Sequence, residues 1–251
     1  MEGSVAIVTG GGTGLGAATA SVLARAGARV VINGRREEKL AETAARIREE
    51  GGEVTPCPGD VSRPEDVRDL VERAVKEYGG VDVLVNNAGI HAHFRPAHEV
   101  PIDEFDHYLA INLRGPFLAT KAVIPHLLAR GGGSIVNVAS MAGVVGLKYT
   151  VSYGAAKGGL VQMTRTVALD YADKGIRVNC ICPAGMTPTE NRDRLSPEEM
   201  KLAGEAVGGG APVGGSASTE EVAQAILFLV GPHGRFITGA IIPIDGGYTA
   251  R

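Results

Sequence analysis

The chain has 251 residues, of which 44% are hydrophobic and 21% charged, with a formal net charge of −3. That length can bury a core without disulfide or metal staples, and it suits a single α/β domain. The slight acidity argues against nucleic acid or an anionic membrane as the main partner, and no apolar run reaches the ~18 residues of a spanning helix. The opening Met1-Glu2-Gly3-Ser4 carries no basic leader, and the sparse cysteines Cys57, Cys180 and Cys182 imply no disulfide framework. A cytoplasmic protein is the expectation.

Short apolar runs alternate with longer amphipathic ones, which is the pattern of a parallel sheet with crossover helices. The first strand is expected at Val5–Thr9, followed by a glycine-rich turn and a helix at Thr13–Ala26. A strand at Arg29–Asn33 precedes a helix at Arg36–Glu50. A third strand at Glu53–Cys57 leads to a helix at Pro64–Tyr78, with Ser62 as its cap and Gly79-Gly80 as its stop. After Asp82–Val85, two separate helices are expected, at Ile102–Leu113 and Pro116–Arg130. A strand at Ser134–Val138, a long helix at Val151–Asp173 ended by Gly175, and a strand at Ile176–Ile181 follow. Residues 183–218 hold four prolines and Gly208-Gly209-Gly210, and read as a mobile lid beyond the carboxyl end of a strand. Thr219 opens a final helix to Val230, and Ala240–Ile244 is the last strand. The whole is one Rossmann-type, doubly wound parallel sheet of about seven strands.

The turn after the first strand reads Thr9-Gly10-Gly11-Gly12-Thr13-Gly14-Leu15-Gly16. Glycines permit a tight turn and close approach of a phosphate to the backbone, and the helix start supplies free N–H groups. Gly10, Gly12, Thr13, Gly14, Leu15 and Gly16 are therefore candidate dinucleotide contacts. The spacing is Gly-x-x-x-Gly-x-Gly rather than G-x-G-x-x-G, and no Gly-Lys-Ser/Thr follows, so a P-loop is excluded. A purely structural turn is the competing reading of this stretch taken alone.

That spacing resembles the short-chain dehydrogenase/reductase superfamily, in its compact branch of about 250 residues that includes 3-oxoacyl reductases. Asn86-Asn87-Ala88-Gly89 matches the family's second motif, and Asn112, Ser140, Tyr153 and Lys157 fall where its catalytic tetrad falls. Pro183 and Asp245-Gly246-Gly247 also fit. The resemblance spans nearly the whole chain. It implies hydride transfer between a nicotinamide and a ketone or alcohol, and a homotetramer built on the helices beginning near Pro116 and Val151. It also implies that Asp60 and Val61 hold the adenine, that Asn87, Ala88 and Gly89 line the nicotinamide ribose, and that Asn112 holds a water linked to Lys157. The three residues between Tyr153 and Lys157 differ from the six of the family's enoyl reductases.

Tyr153 and Lys157 are four apart on one helix face. A phenol near pKa ~10 needs help to act as a base, and a nearby ammonium favours the phenolate. Lys157 can also hold the ribose, and the Ser140 hydroxyl can bond the substrate oxygen. An acid at the end of the second strand would bond the adenosine ribose and repel a 2′-phosphate. Here that place reads Asn33-Gly34-Arg35-Arg36. Guanidinium suits phosphate, so NADP(H) is expected, with Arg35 the clamp and Arg36 a helper; NAD(H) is the alternative.

After the sixth strand, similar enzymes show Pro-Gly and then a Thr at the carboxamide. Here Pro183, Gly185 and Thr187 are the choices, with Thr189 as alternative. His93 and Phe94 are candidate substrate contacts, beside Ser140 and Tyr153. The spacing of His91, His93 and His98 does not suit a metal. The substrate expectation leans to a 3-oxoacyl-type ketone. A dinucleotide-binding sensor without catalysis is the alternative function, since fold alone does not fix activity.

Overall fold

The structure is a computed structural model that describes residues 1–91, 93–187, 196–207 and 210–250. Strands β1 (Val5–Thr9), β2 (Arg29–Gly34), β3 (Glu53–Pro58), β4 (Val83–Asn86), β5 (Gly133–Val138) and β6 (Ile176–Pro183) alternate with helices α1 (Gly14–Arg25), α2 (Glu37–Glu49), α3 (Pro64–Tyr78), α4 (Ile102–Leu109), α5 (Gly115–Ala129) and α6 (Val151–Tyr171). Beyond them lie β7 (Met186–Thr187), α7 (Pro197–Val207), β8 (Ala217–Ser218), α8 (Thr219–Val230) and β9 (Ile241–Ile244). Seven strands form one sheet in the order β3-β2-β1-β4-β5-β6-β9, and every pairing is parallel. The expected strands are all present, within two residues at each end.

Alternate residues of a strand face opposite sides, and here both sides are apolar. Val5 and Ile7 of β1 join Leu70 and Val71 of α3 and Val123 and Leu127 of α5. Ala6 and Val8 join Leu23 of α1, Leu40 and Ile47 of α2 and Ile226 of α8. Burial on both faces explains why the strands read as continuous Val and Ile runs. Among the described residues, no helix is long and apolar enough to cross a membrane.

Three local readings need correction. The two helices expected between 102 and 130 are continuous, because a π-turn at Ala110–Arg114 joins α4 to α5. The Gly115 N–H reaches Ala110 O, five residues back, which carries the helix past Pro116. Ser62 does not cap α3. Its N–H and Oγ instead bond Asp60 Oδ1 at 2.9 and 2.8 Å, and Arg63 holds the cap position. Helix α8 does open at Thr219, with Ser218 as its cap in a reciprocal capping box with Glu221. Finally, the 183–218 segment is not a plain loop. It contains α7 and the short β7–β8 pairing. Ser196 and Glu199 form the same kind of capping box at the start of α7, with Ser196 N–H donating to Glu199 Oε2 at 2.9 Å and Glu199 N–H donating to Ser196 Oγ at 3.2 Å. Ser196-Pro197-Glu198-Glu199 was the sequence signal for that helix.

Candidate active site

The sheet order reverses between β1 and β4, and there the connecting chains diverge and leave a crevice at the strands' carboxyl ends. A cleft of about 740 Å³ lies at that place, running from Arg35 and Arg36 at one end to Ser140, Tyr153 and Met186 at the other. Gly10 has φ +67° and Gly14 φ +54°, both in the left-handed region. A Cβ on Gly16 would sit 2.0 Å from Gly10 O and 2.5 Å from Asn87 Nδ2, so no larger residue fits. Thr9 joins this turn to β4. Its Oγ1 accepts the N–H groups of Asn87 and Ala88, each at 3.0 Å, while Asn87 Nδ2 donates to Thr9 O at 2.9 Å. The glycine turn and the Asn-Asn-Ala-Gly turn are thus one cross-braced unit.

Gly10, Gly12, Thr13, Gly14, Leu15, Gly16, Asp60, Val61, Asn87, Ala88 and Gly89 all line the cleft, as do Arg35 and Arg36. Arg36 Nη2 approaches Thr13 Oγ1 at 3.4 Å. Burial raises the Asp60 pKa, but hydrogen bonds from Ser62 and the Arg35 charge outweigh it and hold the carboxyl below its usual range. Asn33 Nδ2 is spent on Cys57 O and Gly59 O at 3.1 and 3.2 Å. Asn33 lines the cleft, and its Oδ1 is buried without a hydrogen-bond partner.

At the other end, Lys157 is 4% exposed and donates to Val138 O at 2.8 Å. Its Nζ lies 5.8 Å from the Tyr153 ring centroid. Burial lowers the Lys157 pKa to about 8. Burial also pushes the Tyr153 phenol up to about 12, against a hydrogen bond from Ser140 that pulls it down. Burial thus outweighs the pull towards the phenolate at this phenol. Ser140 Oγ accepts the Ala142 N–H at 3.2 Å and so caps the turn at Met141–Gly143.

Asn112 is wholly buried in the π-turn. Its Oδ1 accepts from Ile90 N and its Nδ2 donates to Ile90 O, both at 3.2 Å, which fixes the chain after Gly89. Beneath the site, Asn86 Nδ2 donates to Asn137 Oδ1 at 2.8 Å, and Asn137 Nδ2 donates to Thr164 Oγ1 at 2.9 Å. This buried polar chain ties β4 and β5 to α6.

The substrate side differs from the sequence reading in several positions. Pro183 lines the cleft together with Ala184 and Met186, whereas Gly185 and Thr187 do not, Thr187 being paired with Ser218 between β7 and β8. Thr189 lies outside the described residues. Phe94 packs on the cluster of Tyr108, Ala142 and Tyr153. His93 lines the cleft, but its Nδ1 bonds Glu199 Oε1 of α7 at 2.7 Å. Hydrogen bonds from Ser196 and His93 hold the Glu199 pKa at about 2. Two residues were missed. Tyr108, 2% exposed, donates to His91 O and accepts the His93 N–H at 2.9 Å. His91 stacks on Tyr153, with ring centroids 5.7 Å apart and planes 21° apart. A Tyr facing inward on α4 carried no motif, and the structure alone turns His91 rather than His93 toward Tyr153. Among the described residues, no group of three or more His, Cys, Asp or Glu is placed to hold a metal.

The family described as enoyl-(acyl carrier protein) reductase matches residues 10–249. An uncharacterized oxidoreductase of Thermotoga maritima is 40% identical over 100% of this chain and 99% of its own. The cis-4-hydroxycyclohexanecarboxylate dehydrogenase of Sinomonas cyclohexanicum is 41% identical, covering 98% of this chain and 96% of its own. A crystal structure of levodione reductase superposes with a TM-score of 0.93 at 34% identity, over 100% of this chain and 99% of that one.

Proposed function

Since the chain belongs to the short-chain dehydrogenase/reductase superfamily and is an oxidoreductase acting on alcohols or ketones, we propose that it is an NADP(H)-dependent ketone reductase with Tyr153 as its general acid. The observation that carries this reading is Tyr153, buried in one cleft with Ser140 and Lys157, its ring 5.8 Å from Lys157 Nζ, while Arg35 and Arg36 line the other end. The enoyl reductase label of the matched family fits less well, because three residues rather than six separate Tyr153 from Lys157.

The cleft suits a nicotinamide dinucleotide. Gly16 leaves the backbone bare where a pyrophosphate would approach, and Arg35 and Arg36 supply charge for a 2′-phosphate. When bound, the nicotinamide supplies or takes up a hydride at the substrate carbon. Tyr153 gives its phenolic proton to the carbonyl oxygen in reduction and recovers a proton afterwards. The Ser140 hydroxyl bonds the same oxygen and stabilises the charge growing on it. Lys157, charged below about pH 8, offsets the transient phenolate. Asn112 acts through the backbone, by holding Ile90 and with it Gly89 at the cleft wall.

The named relatives act on ring compounds, a hydroxycyclohexanecarboxylate and levodione, which favours a cyclic ketone over the 3-oxoacyl expectation. The proposal includes a homotetramer through α5 and α6, supported by solvent-facing Phe117 and Leu128 on α5 and Leu169 on α6. The test is oxidation of NADPH and NADH against cyclohexanone, a cyclic diketone, a β-ketoacyl thioester and a keto-sugar. NADPH-dependent turnover of cyclic ketones is the expected result. Turnover with NADH alone would sink the Arg35 reading.

A further inference from the structure

The reaction proposed above uses Tyr153, Ser140 and Lys157, and leaves one polar group at the same site without a task. His91 lies in the cleft, open to solvent on one side, with its ring against that of Tyr153. Among the described residues, nothing bonds either of its ring nitrogens. Its position is nevertheless held firmly. The Tyr108 hydroxyl donates to His91 O and accepts from His93 N, so one buried phenol clamps the backbone on both sides of the loop. Asn112 fixes the preceding residue, Ile90. A fixed imidazole with free nitrogens, in ring contact with the proton donor, is preorganised for a ligand group rather than for the fold. The protein packed behind it, together with Lys157 nearby, lowers its pKa to about 4. It is therefore neutral at ordinary pH and offers one donor and one acceptor.

We propose that His91 is a specificity residue that hydrogen-bonds a second oxygen of the substrate. The preferred substrates then carry a hydroxyl or carbonyl close to the reacting carbonyl, as in a cyclic dione or hydroxyketone. This rests on the ketone-reductase reading. The chemistry follows from placement. The reacting oxygen belongs to Tyr153 and Ser140, and the His91 ring lines the same cleft with its centroid 5.7 Å from that of Tyr153, a span comparable to one small substrate ring. A site built to bond a polar group discriminates against the analogue lacking it, because its own polar atoms are then left dry and unpaired.

The experiment compares cyclohexanone with 1,2-cyclohexanedione and 2-hydroxycyclohexanone in the full-length protein with NADPH. The wild type should favour the two-oxygen substrates by about tenfold or more in kcat/KM. In His91→Phe, which keeps a ring against Tyr153, that ratio should collapse towards one, mainly through KM. His91→Asn, which keeps a donor and an acceptor, should restore part of it. A merely structural role would lower all substrates alike and leave the ratio standing, and that result overturns the proposal. So does a wild type with no preference. Failure of the underlying reading looks different: no ketone is then reduced with either nicotinamide, and the subsite falls with it.

Discussion

Tyr153 is useful because it is buried. Dehydration holds its phenol near pKa 12, so the proton stays in place until an oxygen gaining charge accepts it. Tyr153→Phe removes that proton and leaves the ring. We expect kcat to fall roughly 10²–10⁴-fold while NADPH still binds, and stopped-flow turnover beside a fluorescence titration checks both. A sensor that needed no proton donor would lose nothing. Lys157 sets the pH dependence. Its pKa is lowered, so its charge is present below about pH 8 and lost as the pH rises through that value. The kcat/KM of reduction should therefore fall above about pH 8, in a profile measured from pH 6 to 10. A flat profile through that range would remove Lys157 charge from the mechanism.

Two elements turn these residues into a site. The first is the braced turn between β1 and α1. Gly16→Ala would place a methyl 2.0 Å from Gly10 O, where only backbone could yield. Overpacking of this kind costs about 1–3 kcal/mol, to be read from the urea midpoint, and NADPH affinity should fall with it. The second is α7. It is joined to the substrate loop by the bond between His93 and Glu199, and to the chain before α6 by Tyr149 Oη donating to Glu205 Oε2 at 3.4 Å. Tyr149 itself has φ +65°, unusual for a residue with a side chain. Because the Glu199 pKa lies below the ordinary range, its contribution to docking is full above about pH 4.5 and is lost as the pH falls towards 2. Glu199→Gln imitates that loss at neutral pH. Faster hydrogen exchange over residues 196–207 and a KM raised several-fold are expected, with kcat changed less. Unchanged exchange would mean that α7 is held by its apolar side alone.

At the scale of the molecule, exposed large apolar residues occur on several elements, α5 and α6 among them. Leu169 is 82% exposed on α6, and Phe117 and Leu128 are open on α5. Leucine and phenylalanine facing water on neighbouring helices fit a face covered by another copy. Leu169→Glu should reduce the mass seen by light scattering from that of four chains to fewer. A wild-type mass of one chain would end the tetramer reading. The residues after β9 brace the segment beyond α7. Asp245 carboxylate oxygens accept from Gly247 N and Thr249 N at 2.9 and 2.8 Å, and Val213 N–H donates to Gly246 O at 3.0 Å. The segment after α7 is thus tied to the sheet through β9.

The sequence by itself determined the sheet and the glycine turn, through local rules: apolar runs bounded by breakers, and glycine where a Cβ cannot fit. Ser140, Tyr153 and Lys157 stand out only through the family resemblance, because a Tyr–Lys pair four apart on a helix is common by chance. The helix start at Ser196 lay hidden among prolines and glycines. The tertiary structure decided what depends on neighbours distant in the chain. Whether Tyr153 keeps its proton turns on burial against the pull of Ser140. Which histidine faces Tyr153 turns on Tyr108, 15 residues beyond His93, because its one hydroxyl bonds the backbone at both 91 and 93. The helix that runs through Pro116 turns on a π-turn that no residue preference announces. Periodicity along a chain specifies which face is buried; charge balance and loop direction are set only when separate segments meet.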